Sequence, residues 1–176
     1  MASAALSKPR LARVADRIAK PFLWAVLLAA VGAGAYASRE DVPELTSHGQ
    51  PLIQPLRVAS AYTVAEQDVD PRGLPVMGGD GKQGGTVKDI WIDSAEMMFR
   101  YLEVEIAGGK SVLLPTSFSL IRRNQVEVHS IYARHFAAVP ALRNPDQITK
   151  LEEEKISAYY GGGTLYADAK RSEPLI

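Results

Sequence analysis

The stretch GLPVMGGDGKQGGTVKDIWIDSAEMMFRYLEVEIAGGKSVLLPTSFSLIRRNQVEVHSI, residues 73–131, decides the fold. Within it, short apolar runs alternate with turn residues. The pattern predicts strands at Gly73–Gly78, Gly85–Asp93, Arg100–Ile106, Ser111–Pro115, Ser119–Arg123 and Gln125–Ile131. Asp80-Gly81, Gly108-Gly109 and Arg123-Asn124 fall between strands, where Gly and Asn tolerate positive φ. Strands this short and this closely spaced predict a mainly β domain, a small barrel or sandwich, because closure removes exposed edges.

Downstream of this stretch, Ala133–Val139 predicts one helical turn, and Pro140 and Pro145 bracket a loop. Thr149 and Glu152 stand at capping-box spacing ahead of a helix expected over 150–160, which Gly161–Gly163 end. The tail from Thr164 is expected at the surface, with one short strand at most. Upstream, residues 39–72 carry Pro43, Pro51, Pro55 and Pro71 and predict an extended strap rather than a packed element. The domain reading is therefore 1–38, 39–72, 73–131 and 132–176.

Residues 22–38, FLWAVLLAAVGAGAYAS, form an uncharged apolar run. Ahead of it, Leu11, Val14 and Ile18 recur at helical spacing while Arg10, Arg13, Arg17 and Lys20 take another side, which suits anionic lipid headgroups. A secretory signal peptide and a buried soluble helix both fit parts of this pattern. A membrane anchor fits best, because no complementary apolar helix follows to cover the run. At about 1.5 Å per residue the run is slightly short of a ~30 Å hydrocarbon core, so spanning, entry from one side and the orientation of the N-terminus stay open.

The chain has 176 residues with Lys+Arg 20 and Asp+Glu 20. The basic excess lies in the first 38 residues, which leaves the body mildly acidic. A body without basic clusters interleaved with aromatics is poorly suited to nucleic acid. Cys is absent, so disulfides, thiolate metal sites and a Cys nucleophile are excluded. The loop GGDGKQGG at 78–85 fails the phosphate-loop pattern and reads as a hairpin turn. His48, His129 and His135 lack metal-ligand spacing, and no Gly-x-Ser-x-Gly elbow occurs. Among the acids, Asp89, Asp93, Glu96, Glu103 and Glu105 cluster around Trp91 and Tyr101. Composition makes this a solvated face, and closely placed acids can also pass protons. A small hydrolase using these acids is a further reading, and it needs a pocket.

The segments DVPELTSHGQ at 41–50, GLPV at 73–76, VKDIWID at 87–93, FRYLEVEI at 99–106, LLP at 113–115, HFAAVP at 135–140 and DQITKLEEEKISAYYGGGTLYA at 146–167 occur in an order that resembles the H subunit of the type II photosynthetic reaction centre of purple-type bacteria. The resemblance implies a mainly β fold: a small PRC-type β-barrel over about 73–131 with a C-terminal helix, preceded by an apolar membrane-anchor helix. It implies a non-catalytic subunit that caps the cytoplasmic face of the L and M subunits in the photosynthetic inner, intracytoplasmic membrane, stabilises the quinone region and supports proton uptake to the secondary quinone. Lipid, light-harvesting antenna polypeptides and a separate small transmembrane chain are further partners on this reading; nucleic acid is not.

No cofactor is expected on the chain itself. The partner subunits carry bacteriochlorophyll, bacteriopheophytin, quinones and non-haem iron. By resemblance, Asp93 and Glu96 match acids of the interior proton route, Arg100 a basic residue beside it, and His48 one histidine of the proton entrance. Thr46 and Gln50 stand where the family often has Asp and a second His, and the family's long connector ahead of the DVPEL-like segment is missing. Asp41, Glu44, Trp91, Tyr101, Glu103, Tyr159 and Tyr160 are the interface candidates. The rival from another class is a soluble PRC-barrel protein of RNA processing or ribosome maturation.

Overall fold

A computed structural model of the chain describes residues 24–34 and 41–163. They belong to two compact units, Met1–Arg39 and Glu40–Ile176. The basic segment ahead of the apolar run and the tail from Thr164 lie outside the described residues.

In the first unit, residues 24–34 form a helix, α1. Its eleven residues rise about 16 Å, roughly half of a ~30 Å hydrocarbon core. No helix among the described residues is long and apolar enough to cross a membrane. The expected ends at 22–23 and 35–38 lie outside the described residues. Within its own unit α1 is apolar and uncovered, with Trp24 65%, Leu28 67% and Val31 63% exposed.

In the second unit the strands are β1 (Ile53–Pro55), β2 (Pro75–Met77), β3 (Gln83–Asp93), β4 (Met98–Glu105), β5 (Ser111–Pro115), β6 (Leu120–Ile121) and β7 (Val126–Glu127). They form one sheet in the order β5-β4-β3-β2-β7-β6, with β1 beside β3. All neighbours are antiparallel except β2 and β7, which run parallel with Val76 opposite Val126. Among the described residues the ladder does not close, so the architecture is a half-barrel sheet with β5 and β6 at its ends.

β3 organises this unit. It pairs with β4 along Thr86–Asp93 on one side and with both β2 and β1 on the other. Simple alternation would expose every second residue of a one-sided strand. Instead Asp89, Ile90, Trp91, Ile92 and Asp93 are all buried, because the strand is covered on both faces and its register shifts between Val87/Asp89 and Trp91/Ile92. The close fit begins at Gly85, where an added Cβ would stand 2.5 Å from the Glu105 carbonyl oxygen.

Two sequence expectations need correction here. The strap is packed, since it supplies β1 and the buried residues Ile53 and Leu56. Pro55 is tolerated because β1 is short and the next bond, from Leu56 N–H to the Ile90 carbonyl, comes after it. The strands expected over Ser119–Arg123 and Gln125–Ile131 shrink to β6 and β7. Leu120 and Ile121 are about 40% exposed, as suits a short edge strand. The turn expected at Ala133–Val139 is a 3-10 helix over Ala133–Ala138.

The helix α2 spans Lys150–Gly162 and has the predicted capping box. Glu152 N–H donates to Thr149 Oγ1 at 3.2 Å, and Glu152 Oε2 accepts the Thr149 N–H at 2.9 Å. The other oxygen, Oε1, accepts the Arg143 N–H at 2.9 Å, so the buried carboxylate has a donor on each oxygen. Glu152, Ile156 and Tyr160 are the buried stripe, with Phe136 set edge-on to Tyr160. The DVPEL segment docks here: Pro43 bridges to Thr149, and Lys150 N–H donates to the Val42 carbonyl.

Candidate functional site

Two charged groups sit along β4, one at its start beside the β3–β4 turn and one at Glu103, midway along the β4–β5 ladder. The first is built on the β3–β4 turn. Asp93 ends β3 with its carboxylate turned back on the chain, where Oδ1 accepts the N–H of Ala95 at 3.0 Å and of Glu96 at 3.2 Å. Such an Asx-type turn is what Asp favours at a strand end. The turn closes through Met97, which adopts φ 55° although it is not Gly. Across it, Arg100 Nη1 donates to Glu96 Oε2 at 3.1 Å, and its Nε stands 3.8 Å from Asp93 Oδ2.

From α2, Glu153 joins this group, its Oε2 accepting the Tyr101 hydroxyl proton at 2.9 Å. Burial pushes the Glu153 carboxyl above its usual value; the Tyr101 hydrogen bond and the Arg100 charge oppose this, while the charges of Glu44 and Asp93 add to it. Burial, with the charge of Glu153, likewise raises the Tyr101 phenol. Arg100, Tyr101, Glu153 and Glu154 line a cleft of about 420 Å³.

The structure thus brings Asp93, Glu96 and Arg100 together as their spacing suggests. His48 stands apart, in the turn where its N–H and that of Gln50 donate to Thr46 Oγ1. It lines a separate depression with Ile92 and Ser94, the neighbours of Asp93 in sequence.

The second group centres on Arg57, which follows β1. Asp89 and Glu103 are directly opposite in the β3–β4 register. Like charges so placed repel, and the sheet tolerates them only with a cation between. Arg57 Nη1 supplies it, 3.1 Å from Asp89 Oδ2 and 2.5 Å from Glu103 Oε2. Trp91 Nε1–H donates to the same Glu103 oxygen at 3.2 Å, and Lys88 Nζ lies 3.4 Å from Oε1. Burial alone would raise the Glu103 carboxyl, but the hydrogen bonds from Arg57 and Trp91 and the Arg57 charge outweigh it and hold it below the usual value. Arg57 also reaches Asp146 and the Pro145 carbonyl, tying the loop before α2 to the sheet.

The interface candidates divide. Trp91, Tyr101, Glu103 and Tyr160 are 0–4% exposed and lie in the chain's own core, so they offer no surface to a partner. The physical reasons are the two-sided cover of β3 and β4 and the α2 stripe. Asp41 is spent internally on an ion pair with Arg143 and a contact with Thr149 Oγ1, while Glu44 stands more exposed, 3.6 Å from Lys150. Tyr159 is half-buried and donates to the His135 carbonyl at 2.8 Å. No group of acids, His or Cys suited to a metal occurs among the described residues.

Sequence reading missed Arg57, which stands 32 positions from Asp89 and carries no local signal. It also missed Glu153, which it absorbed into the helix cap.

Two family models match the chain. The PRC-barrel domain matches residues 64–135, the sheet from just before β2 through β7. The photosynthetic reaction centre H-chain N-terminal region matches residues 10–58, which includes β1 and Arg57. The two matched regions interlock, since β1 of one pairs with β3 of the other. With both models present in this order, the chain belongs to the family of photosynthetic reaction-centre H subunits with a PRC-barrel domain.

Proposed function

We propose that this chain is a non-catalytic H-type subunit that caps the cytoplasmic face of the L and M subunits, stabilises their quinone region and supports proton uptake to the secondary quinone in a photosynthetic membrane. The two interlocked family matches support the subunit assignment and the association with L and M. The observation that carries the proton reading is the convergence of Asp93, Glu96, Arg100 and Glu153 at one end of the sheet.

Glu96 is the most exposed of these acids and is the natural receiver of a proton from water. Asp93 is buried and anchored by backbone donors, and Glu153 prefers its neutral form more than a free carboxyl does. Neighbouring acids at one end of the sheet can accept and release protons without any bond change in the chain itself. Arg100 pairs with Glu96 and stands beside Asp93, which holds the group together. On this reading α1 contributes apolar surface to lipid or to a membrane-embedded partner, and the pigments, quinones and iron belong to the other subunits.

The test is the double substitution Asp93→Asn with Glu96→Gln in the assembled complex. Proton-coupled second electron transfer to the secondary quinone slows by about tenfold or more, the lower end for a positioned proton carrier, while first transfer and assembly stay unchanged. Unaltered second transfer sinks the proton role. Isolation from native membranes tests the assignment separately: co-purification with bacteriochlorophyll-bearing subunits supports it, and co-purification with ribosomal particles overturns it.

A further inference from the structure

The end of the sheet away from the Asp93 group holds a second cleft, of about 570 Å³. It opens where Ser111–Leu113 begin β5, whereas the Arg100 cleft lies at Pro115, where β5 ends. Its size falls in the range of small-molecule pockets. Its accessible apolar lining comes from Ala141, Leu142 and Pro145, with Trp91 and Leu113 buried beneath. Its charged lining consists of Arg57, Lys88, Lys110, Glu103 and Asp146.

The two lysines are the less fully paired of these cations. Arg57 is taken by Asp89, Glu103 and Asp146. Lys88 reaches only Ser111 Oγ and the far oxygen of Glu103, each at 3.4 Å, and Glu103 is already bound to Arg57. Lys110 Nζ donates to the Ala137 and Val139 carbonyls at 3.1 and 3.4 Å, and no carboxylate pairs with it among the described residues. An ammonium has three N–H donors, so each lysine keeps one beyond these contacts. The result is two ammonium groups with spare donors in a cleft whose accessible apolar side chains are Ala141 and Leu142.

We propose that this cleft binds a small amphiphilic anion: a carboxylate or phosphate head held by Lys88 and Lys110, and an aryl or alkyl body laid on Ala141 and Leu142. The body displaces water from apolar surface, and the head gains charge-assisted hydrogen bonds. This assignment is independent of the proton role, because none of its residues belongs to the Asp93 group.

The test titrates the full chain with 3-phenylpropionate, phenyl phosphate and the neutral 3-phenylpropionamide, followed by ligand-observed nuclear magnetic resonance. Both anions bind more tightly than the amide, and whichever binds better identifies the head as carboxylate or phosphate. Lys88→Gln and Lys110→Gln each weaken anion binding about tenfold, the effect of losing one charge-assisted hydrogen bond. Because Lys110 also holds two carbonyls of the following loop, Ala141→Phe serves as a second variant: this exposed position at the cleft can take a larger side chain that fills the site without touching its charges. It abolishes binding of both anions, whereas Lys82→Gln, in the distant β2–β3 turn, leaves it unchanged. Equal binding by the wild type and the Ala141→Phe variant overturns the site. Equal affinity for the anions and the amide overturns its anionic character.

Discussion

Replacing Arg57 by Met removes the cation between two buried carboxylates while keeping most of the side chain's apolar stem. Asp89 and Glu103 are left facing each other with side chains 8% and 5% exposed. Breaking a buried ion pair from one side costs about 3–5 kcal/mol. Arg57 itself is 35% exposed, so water already screens part of the interaction, and about 2–4 kcal/mol is expected. For a chain of this size that lowers Tm by on the order of 5–12 °C. The pH dependence has a definite sign. In the wild type the depressed Glu103 value contributes stability above the unfolded carboxylate range, and this is lost as pH falls through the folded value. In Arg57→Met the burial of Glu103 loses its strongest opponent, the neutral acid is favoured, and the variant gains stability as pH falls toward ~4. Urea unfolding of the full chain, followed by near-ultraviolet circular dichroism near neutral pH and again at mildly acidic pH, reads both effects. A variant within about 0.5 kcal/mol of wild type at neutral pH, or one with the wild-type pH slope, refutes the clamp.

Glu152→Ala removes the acceptor for the Thr149 and Arg143 N–H groups and is expected to cost about 1–3 kcal/mol in the same unfolding assay, because two partly buried donors lose their partner. Met97→Gly is expected to stabilise by about 1 kcal/mol or less, since Gly adopts the observed φ of 55° without a Cβ penalty but adds chain entropy to the unfolded state; a loss of stability would contradict the strain at this turn. Glu153→Gln is expected to raise Tm above the carboxylate range and to leave it unchanged in acid. The raised Glu153 value marks a group whose neutral form the fold prefers, so stability falls as pH rises from the unfolded toward the folded value, and an amide removes that penalty.

The parts of the fold carried by local patterns were legible. β5 lies where its apolar run between Lys110 and Thr116 put it, and the Thr149/Glu152 spacing marked the start of α2. What was not legible depends on contacts distant in sequence. Four prolines made residues 39–72 look like an unpaired strap, yet three of those residues suffice to form β1 once β3 offers an edge. Trp91 and Tyr160 looked available to a partner because aromatic residues are common at interfaces, but both lie in the core here. For the site, Asp93, Glu96 and Arg100 lie around one hairpin end and were named by resemblance. Arg57 and Glu153 reach their partners only through tertiary packing.

The boundary between the two matched regions, after residue 58 and before residue 64, is therefore not a physical boundary. β1 pairs with β3 at Ile53 opposite Asp93, and the Leu52 carbonyl accepts both the N–H and the hydroxyl of Ser94. These bonds hold the end of β3 from which the Asp93 carboxylate projects. Seven residues on in the sequence from Glu103's partner Arg57 the chain enters the PRC-barrel match, so the residues that clamp the sheet's buried charges and those that pair with the end of β3 are both supplied from the H-chain region. A sheet lacking β1 would leave Asp93 at an open edge, where the backbone can fray and water screens the charge of Arg100. The strap is what turns an acidic hairpin end into a fixed group of carboxylates, so a segment with little secondary structure of its own is part of the sheet's architecture.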